Sequence, residues 1–243
     1  MYVSDDSGYQ VKDDDLAFLS LTPADVKAMT DHQIPLGMNA AEFEHFRDTL
    51  AIAATRDGID DFEARLQGSS AKFFAGAHKE MAYERASVVD EFEAARQRLP
   101  EVLELRQIFD RMRAVWPDPA DRPKRRPFDA YYKLGIERHG SDYDIQISSD
   151  ELALRAREKL DQLELGDEYE MRHPTYRFIK KSIVYYIAPN LTNWATLESD
   201  ILGRKVTLAV FPGCGPERIT DRPEISSHHR VTDWILLEGS GRD

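Results

Sequence analysis

The chain has little cysteine, no long apolar run and no excess of positive charge, and each lack excludes a class of protein. A single cysteine, Cys214, in 243 residues excludes an internal disulfide framework and a cysteine-rich zinc site. No stretch approaches the roughly 20 apolar residues of a membrane-spanning helix, so we expect no membrane partner. Residues 1–15 are acidic and lack the basic-then-apolar pattern of a secretory signal, so we expect a cytoplasmic protein.

Acidic residues outnumber basic ones, 44 to 32, which gives a formal net charge of -12. This balance argues against a protein that coats nucleic acid through a general positive field. It is compatible with a nucleic-acid substrate held in a local basic groove. Hydrophobic residues make up 42% of the chain and aromatic residues 10%, which is enough for a sizeable core.

Hydrophobic periodicity predicts an α+β (mixed α/β) fold: a small mixed β-sheet with a helical N-terminal region and a helical insertion. We expect residues 1–21 to form an acidic N-terminal arm and residues 22–243 to form one domain. Thr22 and Pro23 predict a helix start, and Asn39 predicts the cap of a helix over 40–56.

Apolar residues recur at helical spacing over residues 78–116 and again over 151–163. Within the first range, Pro100 separates two predicted helices. Alternating or β-branched runs predict strands over 62–67, 142–148, 176–186, 194–201, 206–211 and 231–237. Gly203 and Arg204 are interpreted as the turn of a hairpin between two of these strands.

Two aspartates, Asp142 and Asp144, are separated by one residue at the start of a predicted strand. Side chains alternate along a strand, so both carboxylates point to the same face. Two carboxylates held that close repel each other unless a cation lies between them. Mg²⁺ (or Mn²⁺) suits such a site, because it takes one or two protein carboxylates together with phosphate oxygens. Ser141, just before the pair, can orient the turn.

A second element is Gly68-Ser69-Ser70, directly after the first predicted strand. Glycine lets the backbone approach a triphosphate closely, and serine hydroxyls and nearby amides can bind its phosphates. Lys72 can reach a phosphate just beyond this bend. An ordinary strand-to-helix turn is the other interpretation of the same residues.

Taken together, Gly68-Ser69 and Ser141-Asp142-Tyr143-Asp144-Ile145 resemble the DNA polymerase beta-like nucleotidyltransferase superfamily, over about residues 62–211. The resemblance implies metal binding by Asp142 and Asp144. It also implies nucleotide binding by Gly68 and Ser69, to which we add Ser70, Lys72 and Ser141.

The sequence departs from the family pattern in two places. The two motif halves are far apart, which requires a helical insertion at about residues 76–129. The family also places a third carboxylate on a later strand, and the matching position on the strand over 206–211 holds Thr207. Asp200 is our candidate for the missing catalytic carboxylate, with Glu198 as the alternative.

We therefore expect a metal-dependent nucleotidyltransferase that transfers a nucleoside monophosphate from ATP or another nucleoside triphosphate to a hydroxyl. The acceptor is left open among RNA, protein and a second nucleotide. The alternative is a degenerate module of the same fold that binds nucleotide or a partner without turnover. Two basic clusters, residues 122–126 and Arg177 with Lys180 and Lys181, are interpreted either as contacts to an anionic substrate or as solvated surface.

Overall fold

The computed structural model describes residues 3–164, 171–213, 215 and 233–238. The chain forms two compact units built from interleaved segments. Unit 1 comprises Met1–Gly37 and Gly68–Ser141, and unit 2 comprises Met38–Gln67 and Asp142–Asp243. Helices occur in both units and the sheet lies in unit 2, so the predicted mixed α+β class is confirmed.

The described residues contain ten helices and four strands. The helices are α1 (Asp13–Leu19), α2 (Pro23–Thr30), α3 (Ala40–Arg56), α4 (Ser69–Lys72), α5 (Arg85–Arg96), α6 (Val102–Val115), α7 (Ala130–Leu134), α8 (Asp150–Gln162), α9 (Lys181–Ile187) and α10 (Pro189–Leu202). The strands are β1 (Glu63–Gln67), β2 (Tyr143–Ser148), β3 (Val206–Phe211) and β4 (Trp234–Leu237). None of these helices combines the length and apolar composition needed to cross a bilayer.

Unit 1 is helical, and its N-terminal residues are more firmly packed than the expected arm. Leu16 and Leu19 of α1 are each only 2% exposed. The carboxylate of Asp15, itself 3% exposed, accepts hydrogen bonds from the Tyr9 hydroxyl and from Trp116 Nε1, both at 2.7 Å. Residues 1–21 therefore include a helix that contributes to the core of unit 1.

The two helices predicted on either side of Pro100 are confirmed as α5 and α6, whereas their interpretation as an insertion stays a prediction. The buried residues of α6 are Leu105, Ile108 and Met112, spaced as one helical face. The predicted start of α2 is also confirmed, because the Thr22 side chain accepts a hydrogen bond from the Asp25 amide and proline follows the cap.

Unit 2 contains a four-stranded sheet in the order β3-β2-β1-β4. Strand β1 pairs antiparallel with both β2 and β4, whereas β2 and β3 are parallel. Two parallel strands need a long crossover between them, and α8, α9 and α10 lie in this connection. The crossover brings the start of β3 beside the start of β2.

One face of β2 packs against helices. Tyr143 and Ile147 are fully buried and Ile145 is almost so. The ring of Phe46 on α3 lies 6.1 Å from that of Tyr143 and 4.8 Å from that of Trp194 on α10. Because successive side chains alternate, Asp144 points to the opposite face of the sheet.

The strands predicted over 176–186 and 194–201 are wrong, since these residues form most of α9 and α10. Pro189 occupies the first turn of α10, where proline favours a helix. The buried residues of α10 recur at helical rather than alternating spacing: Leu191, Trp194, Ala195 and Glu198. Gly203, with φ +61°, ends the helix instead of turning a hairpin.

Candidate functional site

The acidic pair predicted from the sequence lies at the start of β2. Asp142 directly precedes the strand and Asp144 is its second residue. The Asp142 carboxylate is 3.5 Å from the ammonium of Lys205, which precedes β3 in the same way. Asp144 is half-buried. The pair is therefore positioned by two adjacent parallel strands.

Thr207, which the sequence analysis matched to the third carboxylate position, is the cross-strand neighbour of Asp144. Its Oγ1 donates a hydrogen bond of 2.6 Å to Asp144 Oδ1. The Thr207 hydroxyl thus orients one carboxylate oxygen of the pair. Thr207 carries no charge, so this position adds an oxygen ligand or a donor but no general base.

The side chains at this point of the sheet fit a hard divalent cation. Asp142, Asp144 and Thr207 offer only oxygen atoms, the donors that Mg²⁺ prefers, and a Mg²⁺ site commonly takes its remaining ligands from water and substrate phosphates. Across the described ranges there is no group of three or more His, Cys, Asp or Glu side chains arranged to hold a metal. The residues therefore suit a cation that arrives with its triphosphate rather than one held by protein alone.

The bend at Gly68 follows β1, whose last residue, Gln67, is the register partner of Asp144. Gly68 has φ +86° and ψ −168°, a conformation that favours glycine. After it, Ser69 is 9% exposed and Ser70 is fully buried within unit 1. The Ser70 carbonyl accepts a hydrogen bond from the Leu36 amide at 2.9 Å.

The bend thus has a backbone conformation that glycine adopts readily and other residues rarely do. Ser70 Oγ has no hydrogen-bond partner within the described part of the chain, although it is buried. Lys72, at the end of α4, is half-buried. Phosphate binding by Gly68, Ser69, Ser70 and Lys72 stays a prediction.

Ser141 closes a turn in unit 1. Its amide donates to Asp129 Oδ1 at 2.7 Å, and its Oγ accepts from the Asp129 amide at 2.9 Å. These reciprocal bonds agree with the orienting role expected for Ser141, immediately before the acidic pair in the chain. Its part in nucleotide binding stays a prediction.

The structural premise for Asp200 is wrong, because the residue lies on α10 and not on a strand of a hairpin. It is exposed to solvent there. Glu198, the alternative, is 2% exposed, and its Oε1 accepts a 2.8 Å hydrogen bond from Thr49 Oγ1 on α3. Trp194 Nε1 donates to the same hydroxyl at 2.9 Å. Glu198 therefore serves the contact between two helices.

Two features near β3 were not predicted from the sequence. Lys205 lies beside the acidic pair, and the rings of His173, Tyr176 and Phe178 cluster near the other end of β3. A signal for the second feature was present, since residues 171–197 contain no Asp or Glu in a strongly acidic chain. Cys214 lies outside the described residues.

Comparison with protein-family models, with curated proteins and with solved structures finds no match to the chain.

Proposed function

We propose that the protein is a metal-dependent nucleotidyltransferase. It transfers a nucleoside monophosphate from a nucleoside triphosphate to a hydroxyl and releases pyrophosphate. The proposal rests on one observation above the others: the acidic pair stands at the start of β2, with Thr207 of the parallel strand hydrogen-bonded to Asp144. Two close carboxylates oriented by a hydroxyl are the ligands expected for Mg²⁺ or Mn²⁺ with a bound triphosphate.

In this proposal, Asp142 and Asp144 hold the cation, and Thr207 fixes the orientation of Asp144. When bound, the cation would neutralise charge on the leaving pyrophosphate and favour ionisation of the attacking hydroxyl. Lys205, 3.5 Å from Asp142, adds a positive charge at the same edge of the sheet. A phosphate oxygen that approaches the pair would be attracted by this ammonium.

The bend after β1 supplies the proposed contacts to the triphosphate. Gly68 follows the last residue of this strand. A glycine with positive φ leaves backbone amides open to close approach by a phosphate. Gly68 and Ser69 are therefore the proposed contacts to the triphosphate.

Thr207 also favours a second candidate, a degenerate module that binds nucleotide without turnover. A threonine cannot act as a general base at neutral pH, and within the described residues no third acid joins the pair. In the transferase, the acceptor proton would leave to solvent, because catalysis of this kind depends mainly on positioning and charge neutralisation.

An assay with nucleoside triphosphates labelled at the α-phosphate, Mg²⁺ or Mn²⁺, and pools of RNA, protein and nucleotides separates the two candidates. We expect labelled acceptor and pyrophosphate from the wild-type protein. Asp144→Asn should lower the rate by roughly 100-fold to 1,000-fold, because it removes charge that stabilises the transition state.

Asp48→Ala is the matched control, since Asp48 is an exposed acid on α3 of the same unit. It should keep the wild-type rate. Nucleotide binding without pyrophosphate release, with either metal and all acceptors, would favour the degenerate module. Equal rates for wild type and Asp144→Asn would reject the acidic pair as the site.

A further inference from the structure

A short part of unit 2, residues 172–186, carries positive charge in an acidic protein; we call it the basic aromatic segment. It contains Arg172, Arg177, Lys180 and Lys181 and no acidic residue, whereas the whole chain has a net charge of -12. Arg177, Lys180 and Lys181 form no ion pair with any residue that the structure describes. Among the described residues, no acid neutralises these three charges.

Three rings in this segment lie close together, and two of them are almost parallel. The centroids of His173 and Phe178 are 4.8 Å apart, with an interplanar angle of 29°. The Tyr176 ring lies 5.2 Å from that of His173, at an interplanar angle of 34°, and its plane is almost parallel to that of the Phe178 ring, at 7°. Parallel ring faces of this kind are surfaces on which a nucleic-acid base can stack.

Backbone bonds hold these rings in place. Arg172 and Ile179 form a β-bridge, and the His173 amide donates to the Phe178 carbonyl at 2.7 Å. His173 Nδ1 accepts hydrogen bonds from the amides of Thr175 and Tyr176, both at 3.2 Å. The ring cluster is thus built into a tight loop, so little side-chain freedom would be lost when a ligand stacks on it.

The segment also exposes large rings to solvent. Tyr176 is 41% exposed, Tyr185 is 60% exposed and Tyr186 is 65% exposed. The ammonium of Lys159 on α8 lies 5.4 Å from the centroid of the Tyr186 ring. Exposed tyrosines near Arg177, Lys180 and Lys181 combine stacking with phosphate neutralisation, the two contributions that bind single-stranded nucleic acid.

The loop meets β3 on the side of the sheet that carries Asp144. The Ile179 amide donates to the Val210 carbonyl at 2.8 Å, and the Phe178 ring lies 6.5 Å from that of Phe211. Phe211 and Thr207 point to the same face because four residues separate them, and Thr207 contacts Asp144. Four residues of strand span about 13 Å.

We propose that the acceptor is single-stranded RNA, held by the basic aromatic segment with its end directed along β3 towards Asp144. RNA offers single-stranded ends with unpaired bases and free ribose hydroxyls, whereas duplex DNA hides its bases in the stack. The charge fits, since every nucleotide brings one phosphate to a segment without acids.

The chemical step rests on the proposed function, whereas binding of RNA does not. The oxygen of a terminal ribose hydroxyl forms a bond to the α-phosphorus of the nucleoside triphosphate. The bond from that phosphorus to pyrophosphate breaks, and the hydroxyl proton passes to solvent. The product is RNA longer by one nucleoside monophosphate.

Fluorescence anisotropy with a labelled single-stranded RNA oligonucleotide, without nucleoside triphosphate, tests binding by itself. Tyr176→Ala should weaken binding about 10-fold, because it removes one stacking surface. Lys181→Ala should lower the slope of log affinity against log salt by about 1, which indicates a lost phosphate contact. Thermal melting of each variant checks that the fold is kept.

Two matched controls lie elsewhere on the chain. Arg56 is an exposed arginine at the end of α3, and Tyr132 is a 44% exposed tyrosine of unit 1. Arg56→Ala and Tyr132→Ala should bind RNA as the wild-type protein does. Equal losses in controls and segment variants would overturn the proposal, as would unchanged binding in both Tyr176→Ala and Lys181→Ala.

The probes distinguish RNA from other anionic ligands. They also distinguish the proposal of RNA binding from the proposal of nucleotidyl transfer. Tighter binding to duplex DNA, or to vesicles of phosphatidylglycerol and phosphatidylcholine, than to the RNA would overturn the choice of RNA. Segment-dependent RNA binding without transfer from any nucleoside triphosphate would support RNA as ligand and reject the transferase. Transfer to protein or nucleotide with no RNA binding would reject RNA and keep the transferase.

Discussion

Residues 122–126 of unit 1 and the basic aromatic segment of unit 2 are both basic stretches with aromatic neighbours. They differ in how far acidic residues neutralise their charges. In unit 1, Arg125 donates to both carboxylate oxygens of Asp6, at 2.7 and 2.6 Å, and it reaches Glu80 at 3.1 Å. The side chain of Arg125 is only 12% exposed. Asp6 raises the pKa of the Arg125 guanidinium, so the charge is held in place.

Arg126 is neutralised in a similar way. Its guanidinium lies 3.1 Å from a carboxylate oxygen of Glu91 and 3.1 Å from one of Glu137. The same group stands 3.7 Å from the centroid of the Tyr131 ring. These arginines therefore belong to the internal structure of unit 1 and are neither a solvated loop nor a free anion-binding surface.

A basic run therefore indicates a binding surface only when its acidic partners are known. Asp6, Glu80, Glu91 and Glu137 are scattered along the sequence, so nothing local marks residues 122–126 as paired. In the basic aromatic segment, the absence of acids is itself local and can be seen in the sequence. Charge serves stability in the first stretch and is available for binding in the second.

The largest stability loss is expected at Asp15, a buried acid of unit 1. Asp15→Ala leaves Trp116 Nε1 and the Tyr9 hydroxyl without their acceptor in the core. We expect the free energy of unfolding to fall by about 3 kcal/mol. Chemical denaturation measures this loss. Asp14→Ala, at an exposed position of the same helix, should cost about 0.5 kcal/mol; similar losses for the two variants would contradict the structural role of Asp15.

The next-largest effect is expected on RNA binding, with almost no change in the free energy of unfolding. The double variant Arg177→Glu/Lys181→Glu should change the free energy of unfolding by no more than about 0.5 kcal/mol, because neither side chain has an ion-pair partner within the described residues. Its RNA affinity should fall roughly 10-fold to 100-fold at low salt. Denaturation and anisotropy measure the two quantities. A large stability loss with unchanged affinity would reverse the comparison with unit 1.

Removing Arg126 should lower the free energy of unfolding and leave RNA binding unchanged. Arg126→Ala leaves two carboxylates without their shared guanidinium and removes the contact with the Tyr131 ring, so we expect a loss of about 1–2 kcal/mol. RNA affinity should not change. Arg113→Ala is the control, since Arg113 pairs with Asp110 on an exposed helix face and should contribute about 0.5 kcal/mol or less. Equal stability for the two variants would show that the unit 1 arginines are not structural.

The smallest effect concerns pH. Burial raises the pKa of Asp5, but hydrogen bonds from Ser7 and from the amides of Arg125, Tyr9 and Lys124 outweigh it, and the net pKa lies below its usual 3.8. A carboxyl whose pKa is lowered by folding stabilises the protein above its unfolded pKa, and this contribution is lost as the pH falls through the folded value.

Stability should therefore decline below about pH 4, and Asp5→Asn should flatten that decline. Denaturation curves at pH 7, 4 and 3 provide the measurement. An identical pH dependence in wild type and Asp5→Asn would remove Asp5 from the account.

The strands of the acidic site could be predicted because local patterns decide them. Residues 62–67 and 142–148 alternate apolar and polar side chains, and the structure places β1 and β2 there. The strand over 206–211 was also predicted, and the structure places β3 there, with Thr207 beside Asp144. Residues 176–186 and 194–201 were predicted as strands because aromatic and β-branched side chains favour sheets, but tertiary packing makes most of them helical.

Other parts of the site depend on contacts between distant residues. No local pattern shows that Lys205 approaches Asp142, because the contact follows from the parallel pairing of β2 with β3. The ring cluster at His173 likewise requires a left-handed turn at Arg177, with φ +63°, which few arginines adopt. Such features appear only when the folded backbone is known.

Binding of Mn²⁺ tests the central claim, the cation site at the start of β2, most directly. Electron paramagnetic resonance measures the free Mn²⁺ in a solution of protein and a non-hydrolysable nucleoside triphosphate, against the nucleotide alone. We expect the wild-type protein to remove additional Mn²⁺ from solution. The correctly folded Asp142→Asn/Asp144→Asn variant should not. The same additional binding in the double variant would contradict this claim.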